Sequence, residues 1–174
     1  MFFLNADWEV AMQRRWLSLA LAASLLPAVT SAQQPADACA LMSRDEFQGL
    51  TGKPEFTDPT PMPWGGDGSV CGFGNGQILL LSGADSPAAF DRMLAGFGQQ
   101  NLPRTPAEGL GDDAFALFFD PEDKYQDHGA TVVFGAGPPT VAVTVYADEG
   151  QPAEAALPQA MAVAQAVATK LRPR

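Results

Sequence analysis

The sequence has one histidine, two cysteines and half as many basic as acidic residues, ten against twenty in 174. Each shortage excludes something. A lone imidazole, His128, is poor material for a zinc site, where protein ligands come in threes and fours. The shortage of Lys and Arg, with no basic patch interleaved with aromatics, argues against nucleic-acid binding. The net charge of −10 also repels anionic lipid and steers toward cationic partners. The longest apolar run, residues 16–26, is too short to span a bilayer.

That run has a different use. Residues 12–32 read MQRRWLSLALAASLLPAVTSA: a basic start at Arg14 and Arg15, an apolar centre, and small residues at Thr30-Ser31-Ala32. This is the pattern of a secretory signal peptide. The preceding MFFLNADWEV is acidic and unusual ahead of a signal, which makes Met12 an alternative start. The arginine pair leaves twin-arginine export open beside the ordinary Sec route. Residues 1–32 are therefore read as extension and signal, and 33–174 as one domain. Removing 1–32 leaves eight basic against eighteen acidic residues, again −10. The mature chain is expected to be periplasmic or secreted, with no membrane span.

Two cysteines in an exported chain usually pair. A bridge from Cys39 to Cys71 closes a loop worth roughly 3.7 kcal/mol of chain entropy; a pair of buried free thiols is the alternative. A lipid anchor on Cys39 is disfavoured by Ala36-Asp37-Ala38, which puts a charge where small or apolar residues belong.

After Cys39 comes a helix signal. Ser43 and Glu46 form a capping box, Met42 and Phe47 stand at the hydrophobic-staple positions, and Gly52 then Pro54 end the helix at about 44–51. The proline-rich stretch 54–68 has room for one short edge strand near Phe56. Residues 68–81, GSVCGFGNGQILLL, read as a β-hairpin turning at Asn75-Gly76, a type I′ signal. A second helix starts at Ser86-Pro87, with an apolar stripe of Phe90, Met93, Leu94 and Phe97. Strands are expected at 114–119, 131–134 and 140–146, then a helix over 158–171 with Met161, Ala164, Ala168 and Leu171 buried. The order α-β-β-β-α-β-β-β-α implies an α+β domain. Its mostly antiparallel sheet of five to six strands is covered on one face by two or three helices.

The segments Cys39-Ala-Leu-Met-Ser-Arg-Asp-Glu-Phe, Ser69-Val-Cys-Gly-Phe and Gly109-Leu-Gly-Asp-Asp-Ala-Phe, with an alanine-rich terminal helix, carry a resemblance. Together they resemble a loose family of small bacterial secreted or lipoprotein envelope domains with paired cysteines and no assigned activity. The resemblance implies a non-catalytic envelope domain. It supplies no catalytic residues.

No catalytic set emerges from the residues either. Ser43 and Ser86 are committed to caps, and no Gly-x-Ser-x-Gly elbow is present. Cysteine catalysis is excluded once the disulfide forms. The acidic stretch 120–127 supplies Asp120, Glu122, Asp123 and Asp127, but Tyr125 stands where an EF-hand needs glycine. A solvated acidic loop is the simpler reading, so no metal or other cofactor is assigned. Trp64, on a proline-stiffened loop, and Tyr125 are the aromatic candidates for partner contact, with the four acids around Tyr125.

The reading is a non-enzymatic exported domain that binds a protein or envelope component, one version being an inhibitor or immunity-type protein for a cationic secreted enzyme. Two alternatives stand beside it. One is a small hydrolase or metal-dependent enzyme using Asp112, Asp113, Asp127 and His128. The other is a small-ligand carrier with a cavity lined by Phe90, Phe97, Phe115 and Phe118.

Overall fold

A computed structural model describes residues 37–55, 57–63, 68–81, 87–96, 101–120, 127–136 and 139–172. The signal segment, Phe56, Trp64, Ser86, Phe97, Glu122, Asp123 and Tyr125 lie outside the described residues, as does the side chain of Met93.

A 3₁₀ turn, Ala38–Leu41, carries Cys39 and leads into α1, Arg44–Thr51. The capping box forms as the sequence requires: Ser43 Oγ accepts from the Glu46 N–H, and the Glu46 carboxylate accepts from the Ser43 N–H. Met42 and Phe47 are both fully buried. Gly52 ends the helix in the left-handed region, φ 69°, and donates to the Gln48 carbonyl.

Among the described residues seven strands follow in one antiparallel sheet: β1 Thr60–Met62, β2 Gly68–Phe73, β3 Gly76–Leu81, β4 Arg104–Pro106, β5 Phe115–Phe119, β6 Gly129–Gly135 and β7 Thr140–Tyr146. Their spatial order is β1-β2-β3-β7-β6-β5-β4. Helix α2, Pro87–Gly96, lies between β3 and β4 in the chain; a 3₁₀ turn, Ala153–Ala156, and α3, Leu157–Leu171, close it. The α+β class and the antiparallel sheet are as expected. The strand number is higher, because β1 and β4 are three-residue edge strands that contain proline and carry no apolar alternation. The expected edge strand near Phe56 sits instead at Thr60–Met62.

Both edges use proline to limit further pairing. Pro61 has no N–H to give β2, so Thr60 and Met62 make the ladder bonds. Pro59, Pro61 and Pro63 then occupy the outward-facing positions, which leaves no outward N–H over 59–63. On the other edge the Ala107 N–H points inward to the Ala114 carbonyl, which places Pro106 at an outward position of β4.

The helices do not share one face of the sheet. Phe47 of α1 and Ala160, Val163, Ala164, Val167 and Leu171 of α3 pack on the face carrying Phe73, Ile78, Val132 and Val143. Phe90 and Leu94 of α2 pack on the opposite face, with Val70, Leu79, Phe115 and Val133. The expectation of one-face coverage is corrected here. Strands β3, β5, β6 and β7 are apolar on both sides, and each side needs a cover. The buried stripe of α3 also differs from the expected one. Ala160, Val163 and Val167 are buried, whereas Met161 and Ala168 are half-buried at its flank.

The hairpin turn is corrected as well. Phe73 pairs with Gly76, so the two loop residues are Gly74 and Asn75. Gly74 is not among the positive-φ glycines, which excludes types I′ and II′. Gly76 serves packing. A Cβ there would run into the Thr144 carbonyl and sit 2.9 Å from Phe47 Cζ.

The two cysteines are bonded, Cys39 to Cys71, with Cα atoms 5.0 Å apart. The bridge fastens the first 3₁₀ turn to β2. The Ala38 N–H donates to Ser69 Oγ at 2.9 Å beside it.

Candidate functional site

The sheet has two ends, and the candidate residues divide between them. Phe119, the start of β6, the end of β7 and the β2–β3 turn share one end. The 107–114 turn, Gly135 and Thr140 share the other. Asp127 and His128 therefore belong to the first end, and Asp112 and Asp113 to the second. The span of β5, about 3.3 Å per residue, lies between them. The four-residue catalytic centre considered from the sequence is not assembled. Likewise Phe118 lies on the opposite face of the sheet from Phe90 and Phe115, so these phenylalanines do not line one cavity. Phe90 and Phe115 pack edge to face, ring centres 6.4 Å apart.

The first end is a polar assembly built on the segment that leaves α1. Lys53 is buried; its ammonium donates to the Tyr146 carbonyl and pairs with Asp148 at 2.9 Å. Glu55 is buried too. Its carboxylate accepts from the Gly74 N–H at 2.6 Å, the Asn75 N–H at 3.0 Å and Asn75 Nδ2 at 2.7 Å. The Asn75 carbonyl in turn accepts from the Tyr146 N–H. Burial, and then the charge of Asp127, raises the pKa of the Tyr146 phenol. His128 Nε2 lies 2.8 Å from the Gln151 carbonyl.

These contacts use the reactive groups for structure. The cysteines are bonded to each other, Lys53 and Glu55 hold backbone, and Ser69 accepts from Ala38. Ser43 is bonded to a carboxylate, Glu46, and both are spent on the α1 cap. Among the described residues no group of three or more His, Cys, Asp or Glu converges as a metal site.

What the structure leaves open is charge. Arg44 reaches Asp45 and Asp58, Lys53 pairs with Asp148, Arg104 with Asp91, and Lys170 with Glu46. Exposed Asp120, Asp127 and Glu149 at the first end, and Glu108, Asp112 and Asp113 at the second, have no ion pair among the described residues. Asp120 and Asp127 are thus placed as exposed carboxylates at the first end. The strand ends flanking Trp64, Met62 and Gly68, lie toward the second. Sequence reasoning missed Lys53 and Glu55. Their only signal was two charges in a Gly-Lys-Pro-Glu stretch directly after a helix stop.

Beside α1 an open depression of about 540 Å³ is lined by Cys39, Ala40, Arg44, Asp45, Asp58 and Pro59, among others. No helix among the described residues is long and apolar enough to cross a membrane. Comparison of the chain with protein-family models, with curated proteins and with solved structures returns no match.

Proposed function

We propose that the chain is an exported, non-catalytic α+β domain that binds a cationic macromolecular partner through its carboxylate-rich surface. The observation that carries this reading is the distribution of charge. Four of the described cations are neutralised within the fold, and exposed acids are left at both ends of the sheet. Such a surface speeds encounter with basic proteins and loses that advantage in salt. The Cys39–Cys71 bond is compatible with an oxidising, exported compartment. The signal-like leader and the resemblance to small bacterial envelope domains point to the periplasm or the exterior. The proline-capped outer row of β1 disfavours strand addition there, so side chains carry the contact.

One concrete partner class is a cationic secreted enzyme of the lysozyme type, with this chain as its inhibitor or immunity-type protein. Titration calorimetry of the purified mature domain against such an enzyme tests it. Binding at low salt that weakens as salt is raised, and weakens further in an Asp120→Asn, Asp127→Asn double variant, supports the reading. No heat at low salt removes this partner class.

A further inference from the structure

We propose that the Cys39–Cys71 disulfide is a site of directional thiol–disulfide exchange, entered from the depression beside α1 at the sulfur of Cys39. The two sulfurs differ in access. Cys71 is completely buried under the 3₁₀ turn and the sheet, whereas Cys39 is half-buried and forms part of the wall of the open depression. Exchange requires a thiolate to approach one sulfur from the side opposite its partner. Of the two residues only Cys39 borders the depression, so the attack is assigned to its sulfur.

The step balances with an external thiol as co-reactant. The incoming thiolate forms a bond to Cys39 Sγ, the Sγ–Sγ bond breaks, and Cys71 leaves as a thiolate that takes a proton from water. With a dithiol, its second thiolate then attacks the mixed disulfide. Cys39 is released, the reagent is oxidised and the protein disulfide is reduced. The depression is rimmed by Asp45, Glu46 and Asp58 against Arg44 and the Lys170 that pairs with Glu46, an acidic excess that favours a thiol carrying positive charge. After the first step the turn keeps two polar ties. One is the Ala38 N–H on Ser69; the other is the Leu41 carbonyl, which accepts from Lys170 at 2.8 Å. The chain remains folded around an opened bond.

The test uses the purified oxidised chain, excess cysteamine and no denaturant, with acid quenching, alkylation of free thiols and peptide mass mapping. The expected product carries cysteamine on Cys39 and the alkyl group on Cys71, in about tenfold excess over the reverse. Equal or reversed labelling, or no adduct until the protein is unfolded, overturns the proposal. A second variant checks the route. Ala40 is exposed and lines the depression. Ala40→Trp is expected to slow adduct formation several-fold with an unchanged urea midpoint, and an unchanged rate would overturn entry through the depression.

Discussion

Glu55 and Asn75 stand twenty residues apart in the chain, yet the Glu55 carboxylate holds both the backbone N–H and the side-chain amide of Asn75. With the Gly74 N–H added, one buried carboxylate takes three donors from a two-residue turn. The turn is thus shaped from outside the hairpin. Replacing Glu55 by alanine strands those donors and is expected to cost about 2–3 kcal/mol. Glu55→Gln, which keeps one acceptor, is expected to cost about half of that. Urea unfolding at neutral pH measures both. A loss in Glu55→Ala below about 0.5 kcal/mol would mean the turn holds itself.

Gly76 tests the packing reading of the Asn-Gly pair. Its missing Cβ is what lets the Thr144 carbonyl and the Phe47 ring close in. Gly76→Ala is expected to destabilise by more than about 2 kcal/mol, because backbone cannot move aside as a side chain can. Gly74→Ala, whose Cβ would meet only the Glu55 carboxylate, is expected to cost less. The reverse ranking in thermal unfolding would restore the turn-type explanation.

These two positions show why part of the fold was legible in the sequence and part was not. Ser43, Glu46 and Gly52 act on their own helix, within a few residues, and their reading carried over to the structure. The hairpin strands, the disulfide and the terminal helix were equally visible. Glu55 acts across the chain, and nothing local marks a glutamate as buried. The stripe of Phe90 and Leu94 shows that α2 has an apolar side but not which face of the sheet receives it. The strands apolar on both sides held that answer. β1 and β4 form because β2 and β5 offer open edges, which no propensity in Thr60–Met62 or Arg104–Pro106 announces. The candidate acids were found as a composition. Their division between two ends of the sheet required the register.

Acid titration probes the link between α3 and α1. Hydrogen bonds from Lys170 first, and then from the Ser43 backbone, hold the Glu46 carboxyl down at about 2. The folded state therefore favours the carboxylate. Its contribution is complete above the ordinary value of 4.5 and is lost as pH falls toward 2. Because Glu46 is half-exposed, the contribution is below about 1 kcal/mol. Lys170→Met is expected to flatten the decline in stability between pH 4.5 and 2. An unchanged slope in urea midpoints across that window would show that Lys170 does not matter.

Thr140 offers the opposite kind of change. It is fully buried at the start of β7 and its hydroxyl has no hydrogen-bond partner among the described residues. Thr140→Val removes an unsatisfied group at nearly constant shape and is expected to gain about 1 kcal/mol. A lower melting temperature in the variant would show that the hydroxyl is satisfied in solution.

The reading as a whole rests on an exported chain whose first turn is bonded to β2. The intact mass of the native product, taken before and after reduction in the presence of an alkylating agent, examines both parts at once. The account predicts a chain beginning at Gln33 that takes up no label until reduced and two labels afterwards. A product that retains residues 12–32 and is labelled at both Cys39 and Cys71 without reduction would contradict it.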